Sequence, residues 1–191
     1  MKDNIILVDC DGVLLDWEPY FYNWVKEKTG ATVKYPKEYN VAKALGIPKS
    51  EGNRLVEAFN SSTNMANIGP LRDAVKYVKK LYTDYGYRFH VITSQTDDIA
   101  AQEFRKYNLE TLFGKEVFEG FTILPQGYDK GKALDKWKDT GCWWIEDKPL
   151  NYIAGEERGL NPVLMGHQHN LGFEGTVRWN WGEIFELITG E

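Results

Sequence analysis

An α/β fold with a mostly parallel sheet flanked by helices is predicted for this chain, on three observations. Short apolar runs of strand length alternate with stretches of helical periodicity. The first run, Ile5-Ile6-Leu7-Val8, is apolar throughout and mostly β-branched, as a strand buried on both faces is. Three of the runs end in polar residues: Asp9 and Asp11, Thr93 and Ser94, Glu146 and Asp147. Alternating strands and helices imply right-handed crossovers, which bring all these ends to one edge of the sheet.

Each element has its own signal. After the first strand, Asp16 is placed to cap a helix through Trp17, Phe21, Trp24 and Val25, closed by Gly30. Pro19 falls in its first turn, where proline is tolerated. Residues 31–49 are mixed, with Pro36 and Pro48 as breakers. A second helix is expected over about Ser50–Phe59, then a polar loop from Ser61 to Gly69-Pro70. Residues 16–70 thus read as a small helical insert after the first strand. Leu71, Val75, Val78 and Leu81 share one face of a helix that ends at Gly86. Arg88–Ser94 reads as the second strand, and Asp97 as the cap of a helix through Ile99, Phe104 and Tyr107. Thr122–Pro125, Cys142–Ile145 and Pro162–Met165 read as three more strands. Helices are expected after Lys130, over Asn151–Arg158 and over Trp181–Ile188, the last with Asn180 and Glu183 as a capping pair.

Composition narrows the function. With 191 residues the chain can build one good core and a small appended lobe. A net charge of −5 argues against a broad footprint for nucleic acid or an anionic membrane. No segment approaches the length of a membrane span, and the N-terminus lacks a signal-peptide pattern. Cys10 and Cys142 lie in apolar strand-like runs and read as buried thiols, which fits a cytoplasmic protein. Seven tryptophans is a high count, and some are expected to line a pocket.

Asp9 and Asp11 stand one residue apart and are followed by Gly12. Such residues can simply form a turn after a strand. At a sheet edge, however, two carboxylates this close repel each other unless a cation neutralises them, and oxygen-only ligands suit Mg²⁺. The same edge would collect the Thr93 and Ser94 hydroxyls, the Lys130 ammonium and a second acidic pair. Phosphoryl transfer needs this set, because its transition state carries much equatorial negative charge. Lys132 is a rival to Lys130. His167 and His169 lack a Cys or a third His nearby and read as loop residues rather than a metal site.

The order Asp9-Cys10-Asp11-Gly12-Val13, Val91-Ile92-Thr93-Ser94, Tyr128-Asp129-Lys130 and Ile145-Glu146-Asp147-Lys148-Pro149 resembles the four motifs of the haloacid dehalogenase-like phosphohydrolases. Within them it is most similar to the 5′(3′)-deoxyribonucleotidases, as are Val163-Leu164-Met165 and His167-Gln168-His169-Asn170 downstream. The resemblance spans nearly the whole chain. It implies a Rossmann-like core domain of residues 1–15 and 71–191 and a helical cap of residues 16–70. It implies Asp9 as nucleophile, Asp11 as acid and base, and Thr93 and Lys130 as phosphoryl ligands. It places Mg²⁺ on the carboxylates of Asp9 and Asp147 and the backbone carbonyl of Asp11, with Glu146 orienting its neighbours. Gly12 would turn the chain beside the phosphate, Ser94 would contact the substrate, and Trp17 would face the leaving group or else pack with Phe21 and Trp24. Two departures bear on this. Relatives carry Asp-Asp where this chain has Glu146-Asp147, and they are rich in Phe where it has Asn64-Met65-Ala66-Asn67.

The expected substrate is therefore a small phosphomonoester, by resemblance a deoxynucleotide, with no membrane partner and no extended nucleic acid; a homodimer is allowed. Rival readings are a same-fold phosphatase for another small ester or a nucleic-acid 3′-phosphate end, and a silent binding protein. The last would be expected to have lost Asp9 or Asp11.

Overall fold

The computed structural model describes residues 4–191. Among the described residues six strands form one parallel sheet: β1 Ile5–Val8, β2 Arg88–Gln95, β3 Phe118–Pro125, β4 Trp143–Glu146, β5 Asn161–Met165 and β6 Val177–Arg178. Their order is β3-β2-β1-β4-β5-β6. Eight α-helices accompany them among the described residues: α1 Trp17–Thr29, α2 Val41–Leu45, α3 Lys49–Asn60, α4 Ala74–Tyr85, α5 Ile99–Phe113, α6 Gly131–Leu134, α7 Pro149–Glu156 and α8 Trp181–Thr189. β1 lies in the middle because it is apolar on both faces. Leu7 packs with Ile92, Leu134 and Trp144 on one side, and Ile6 and Val8 pack with Val91, Ile145 and Val163 on the other.

Register decides what meets at the edge. Val8 pairs with Val91 on one side and Ile145 on the other. The next residue, Asp9, then lies beside Glu146, and its N–H donates to the Ile145 carbonyl at 2.9 Å.

The helical insertion after β1 is pinched at its base. Leu15 and Pro70 form an antiparallel bridge. Asp16 N–H donates to Gly69 O at 3.0 Å, and Leu71 N–H donates to Leu14 O at 2.8 Å. Between these points lie α1, α2, α3 and a short 3₁₀ turn, Thr63–Ala66.

Several local expectations are corrected. Asp16 precedes α1 but its side chain caps nothing, because its backbone is committed to the pinch. Asp98, not Asp97, caps α5, accepting from Ala100 N–H at 2.9 Å. α2 forms inside the stretch read as mixed, capped by Asn40. α4 starts at Ala74, since Leu71 belongs to the return from the insertion. β3 starts four residues earlier than its apolar run, at Phe118, and β6 is too short to show a period.

Candidate active site

The loop after β1 sets the site. Asp9 is almost fully buried; its Oδ1 accepts from Cys10 N–H at 2.7 Å and its Oδ2 pairs with Lys130 Nζ at 2.6 Å. The chain then turns back sharply, with Leu14 and Leu15 N–H both donating to Cys10 O. Gly12 makes this turn with φ +71°, and a Cβ there would lie 2.6 Å from Asp147 Oδ2. Backbone strain and collision with Asp147 thus both require glycine. Burial pushes the Cys10 thiol up to about 12, so it is an inert packing group.

Lys130, just before α6, is buried and bridges two strand ends. Its ammonium holds Asp9 and, at 2.9 Å, Glu146 Oε2. Burial disfavours its charge, but Asp9 and Glu146 outweigh that and its pKa is raised. Lys132 is exposed. Glu146 has no oxygen to spare. Its Oε1 accepts from the N–H groups of Asp147 and Lys148 at 3.0 and 3.1 Å, and its Oε2 accepts from Lys130 and, at 3.0 Å, from Asn151 Nδ2. Thr93 is buried and Ser94 half-buried; both line the same cavity.

Asp9, Glu146 and Asp147 each bring a carboxylate oxygen within 4.8 Å of the others, a grouping that could hold a metal ion. Burial and the neighbouring Glu146 charge push Asp9 up to about 6 against the pull of Lys130. Burial and the Asp9 charge push Asp147 up to about 7. Among the described residues, the cations ion-paired to these acids and to Asp11 are Lys130 and Arg105. His169 is 3.6 Å from Asp147, but burial holds its pKa below the ordinary value. With all four carboxylates ionised, Lys130 and Arg105 would leave a formal double negative charge, which one divalent ion would balance. The all-oxygen donor set fits Mg²⁺. Glu146 accepts four hydrogen bonds and Asp9 has one contact on each oxygen, whereas Asp147 Oδ2 is approached by His169 at 3.6 Å.

Three features escaped the sequence reading. Arg105 of α5 is 1% exposed, forms an ion pair with Asp11, and reaches Cys10 Sγ at 3.2 Å and Met65 Sδ at 3.0 Å. One turn on, Asn108 Nδ2 donates to Ile68 O at 2.8 Å. The signal was a stripe, Ala101-Arg105-Asn108-Leu109, in which polar residues occupy buried helical positions. Met65, in the Asn64-Met65-Ala66-Asn67 stretch, is buried against Arg105 and does not line the cavity. The histidines do lie in a loop, but that loop folds over the acids. Burial lowers His167 to about 4, and its Nε2–H donates to Gly12 O at 2.6 Å. Asn170 Nδ2 donates to Asp147 O at 2.8 Å.

A cavity of about 450 Å³ joins this edge to the helical insertion. Of the tryptophans, Trp17 lines it, while Trp144 and Trp181 are fully buried in the core. Trp17 also packs. Its ring stacks on Phe21 at 4.6 Å and meets Phe59 edge-on at 5.7 Å.

A parallel sheet of this order, a helical insertion after its first strand and an acid-rich carboxyl edge define the fold of the haloacid dehalogenase-like hydrolases. Solved structures agree. The chain is similar to a protein from Clostridium acetobutylicum described as a predicted phosphatase, with TM-score 0.68, 17% identity and 98% of this chain and 99% of that one covered. It is similar to a haloacid dehalogenase-like family hydrolase from Streptococcus pneumoniae, with TM-score 0.66, 14% identity and coverage of 99% and 100%. It is also similar to the L-2-haloacid dehalogenase of Xanthobacter autotrophicus, with TM-score 0.61, 10% identity and 98% of both chains covered. No protein-family model matches the chain. By sequence it is 33% identical, over 133 residues, to an uncharacterized 32.4 kDa protein of the Gp30-rIII intergenic region of Enterobacteria phage T4. That match covers 66% of this chain and 46% of the phage protein, so the chain spans about half the length of that relative.

Proposed function

We propose that this chain is a Mg²⁺-dependent phosphomonoester hydrolase of the haloacid dehalogenase-like superfamily, acting as a 5′(3′)-deoxyribonucleotidase on deoxyribonucleoside monophosphates. The observation that carries the chemistry is Asp9. It is a buried carboxylate at the end of the central strand, held by one backbone N–H and one lysine, with Asp147 packed against Gly12. The nucleotide reading rests on the motif resemblance and on a nucleoside-sized cavity with an aromatic wall at Trp17.

In this reading Asp9 attacks phosphorus in line with the departing ester oxygen and forms an aspartyl-phosphate. Asp11 gives a proton to that oxygen, and then takes one from the water that hydrolyses the acyl-phosphate. Burial keeps the Asp11 pKa above its ordinary value, and the adjacent Arg105 charge opposes that rise. Lys130 and Thr93 hold the phosphoryl oxygens, and Lys130 also keeps Asp9 ionised. Asp9, Asp147 and the Asp11 carbonyl would hold Mg²⁺, which supplies neutralising charge beside the phosphoryl group. Glu146 fixes Lys130 and the backbone that carries Asp147. Residues 16–70 act as the cap that selects the leaving group, since a phosphoryl site cannot tell one ester from another. Among the described residues no helix is long and apolar enough to cross a membrane. We place the activity in the cytoplasm, on a small-molecule substrate.

The test is phosphate release with and without Mg²⁺ from deoxy- and ribonucleotides, sugar phosphates and 3′-phosphorylated oligonucleotides. Deoxynucleotides should be the best substrates. Asp9→Asn should fall below about a hundredth of wild-type turnover, as losing an essential nucleophile does. Higher retained activity removes Asp9 from its role, and a better substrate of another class removes the nucleotidase reading.

A further inference from the structure

The side of the cavity opposite the acids is built by the insertion. α1 contributes Trp17 and Tyr22, and α3 contributes Asn53, Val56 and Asn60, which share one helical face. Asn60 is unlike its neighbours. It is 5% exposed, yet it carries a full amide on a cavity wall.

Its orientation is fixed by chemistry. Trp17 Nε1 lies 2.9 Å from the Asn60 side chain. An indole N–H only donates, so the amide oxygen must face Trp17 and the NH₂ group must face away. Phe21 and Phe59 hold the indole from two sides, so the amide cannot turn without repacking an aromatic cluster. Among the described residues, Asn60 Nδ2 makes no hydrogen bond to a protein acceptor. Nδ2 is not among the fully buried side-chain atoms that lack a partner, so it is open to the cavity, and a donor whose direction is fixed in this way is placed to meet an acceptor from outside.

Charge narrows what that acceptor belongs to. The insertion lines the cavity with Asp16 and Glu18 and with no lysine or arginine. A leaving group bearing a second phosphate or a carboxylate would meet like charge there. A neutral group of nucleoside size would not.

We infer that Asn60 is a specificity-determining residue: its amide N–H, aimed by Trp17, donates to a carbonyl or ring-nitrogen acceptor on a neutral leaving group. The inference rests on the phosphatase reading above and names what that site selects. It also separates the two roles open to Trp17, which here acts through Asn60 as well as by packing.

The test uses dTMP, whose leaving group carries carbonyl acceptors, and phenyl phosphate, whose leaving group carries none. Asn60→Leu removes the donor. Asn60→Asp keeps the acceptor for Trp17 and replaces the donor with an oxygen, so it carries the test if Asn60→Leu folds poorly. Both variants should lower the kcat/KM ratio of dTMP to phenyl phosphate by about tenfold or more, the size expected when one partner of a buried hydrogen bond is lost. Binding of dTMP to Asp9→Asn, measured by calorimetry, should weaken about as much when Asn60→Asp is added. Parallel losses on both esters, or unchanged dTMP binding, overturn the role of Asn60 and leave the phosphatase reading intact. A wild-type chain that releases phosphate from neither ester overturns both.

Discussion

On the floor of the cavity, Lys130 ties Asp9 to Glu146 and Arg105 holds Asp11. On the roof, Asn60 keeps an amide NH₂ group open to the cavity, with no protein partner among the described residues. The floor is made by strand ends and the roof by inserted helices. The floor uses its polar groups on one another, which fixes reacting atoms in place. The roof leaves polar groups such as the Asn60 amide N–H uncommitted, as our inference for leaving-group selection requires.

The sharpest way to break this contrast is to remove a partner from each side. Arg105→Ala strands a partly buried Asp11 and cuts the contacts to Cys10 and Met65. It should cost about 3–5 kcal/mol of unfolding free energy in urea, the range for breaking a buried ion pair. Asn60→Leu takes the acceptor from Trp17 Nε1 but breaks no ion pair, and should cost about 1–2 kcal/mol in the same assay. Equal costs would mean that the roof is as internally committed as the floor.

A second substitution pair separates metal holding from scaffolding within the floor. Asp147→Ala should raise the Mg²⁺ concentration for half-maximal activity by about tenfold or more, as loss of a charged ligand does. Glu146→Gln should change it by less than about threefold while lowering turnover, because its four hydrogen bonds hold Lys130 and the acidic loop. The reverse order would put Glu146 on the metal.

The smallest effect is a pH dependence. Asp9 and Asp147 have folded pKa values of about 6 and about 7, above the ordinary 3.8. Between pH 4 and 7 the folded, metal-free chain therefore binds protons that the unfolded chain has released. Acidification through this window stabilises it, and the gain is lost as pH rises through 6 to 7. His90 works in the opposite direction. Burial holds it at about 4, so the unfolded chain takes up its proton first as pH falls below 6.5. Comparing melting temperatures in Mg²⁺ and in EDTA at each pH isolates the carboxylates. The Mg²⁺-induced rise should be larger near pH 7.5 than near pH 5, where protons compete for the same oxygens. A rise that does not change with pH would mean that the ion binds elsewhere.

The floor was more legible in the sequence than the roof, for a physical reason. Asp9, Asp11, Glu146 and Asp147 each follow a run of apolar residues, and strand register carries a run's end to a known place. Lys130 and Lys132 could not be separated in that way. Two residues turn a helix by about 200°, so one faces the acids and the other solvent. Arg105 was hidden because an arginine within a helix normally lies on its wet face; only the buried stripe around it betrays the exception. Asn60 ends α3, where a polar residue is ordinary, and what sets it apart is a contact 43 residues away in sequence. β6, two residues long, shows no periodicity to read.

The pinch at Leu15 and Pro70 gives the molecule a seam. Both ends of the insertion lie across a single bridge, a gap that a two-residue turn can close. The inserted wall of the cavity can therefore be lengthened or exchanged at one point on the chain, without rethreading a strand of the sheet. A replacement insertion grafted between residues 15 and 70 would have to supply apolar side chains in place of Met65 and Ile68, which are buried in one cluster with the sheet.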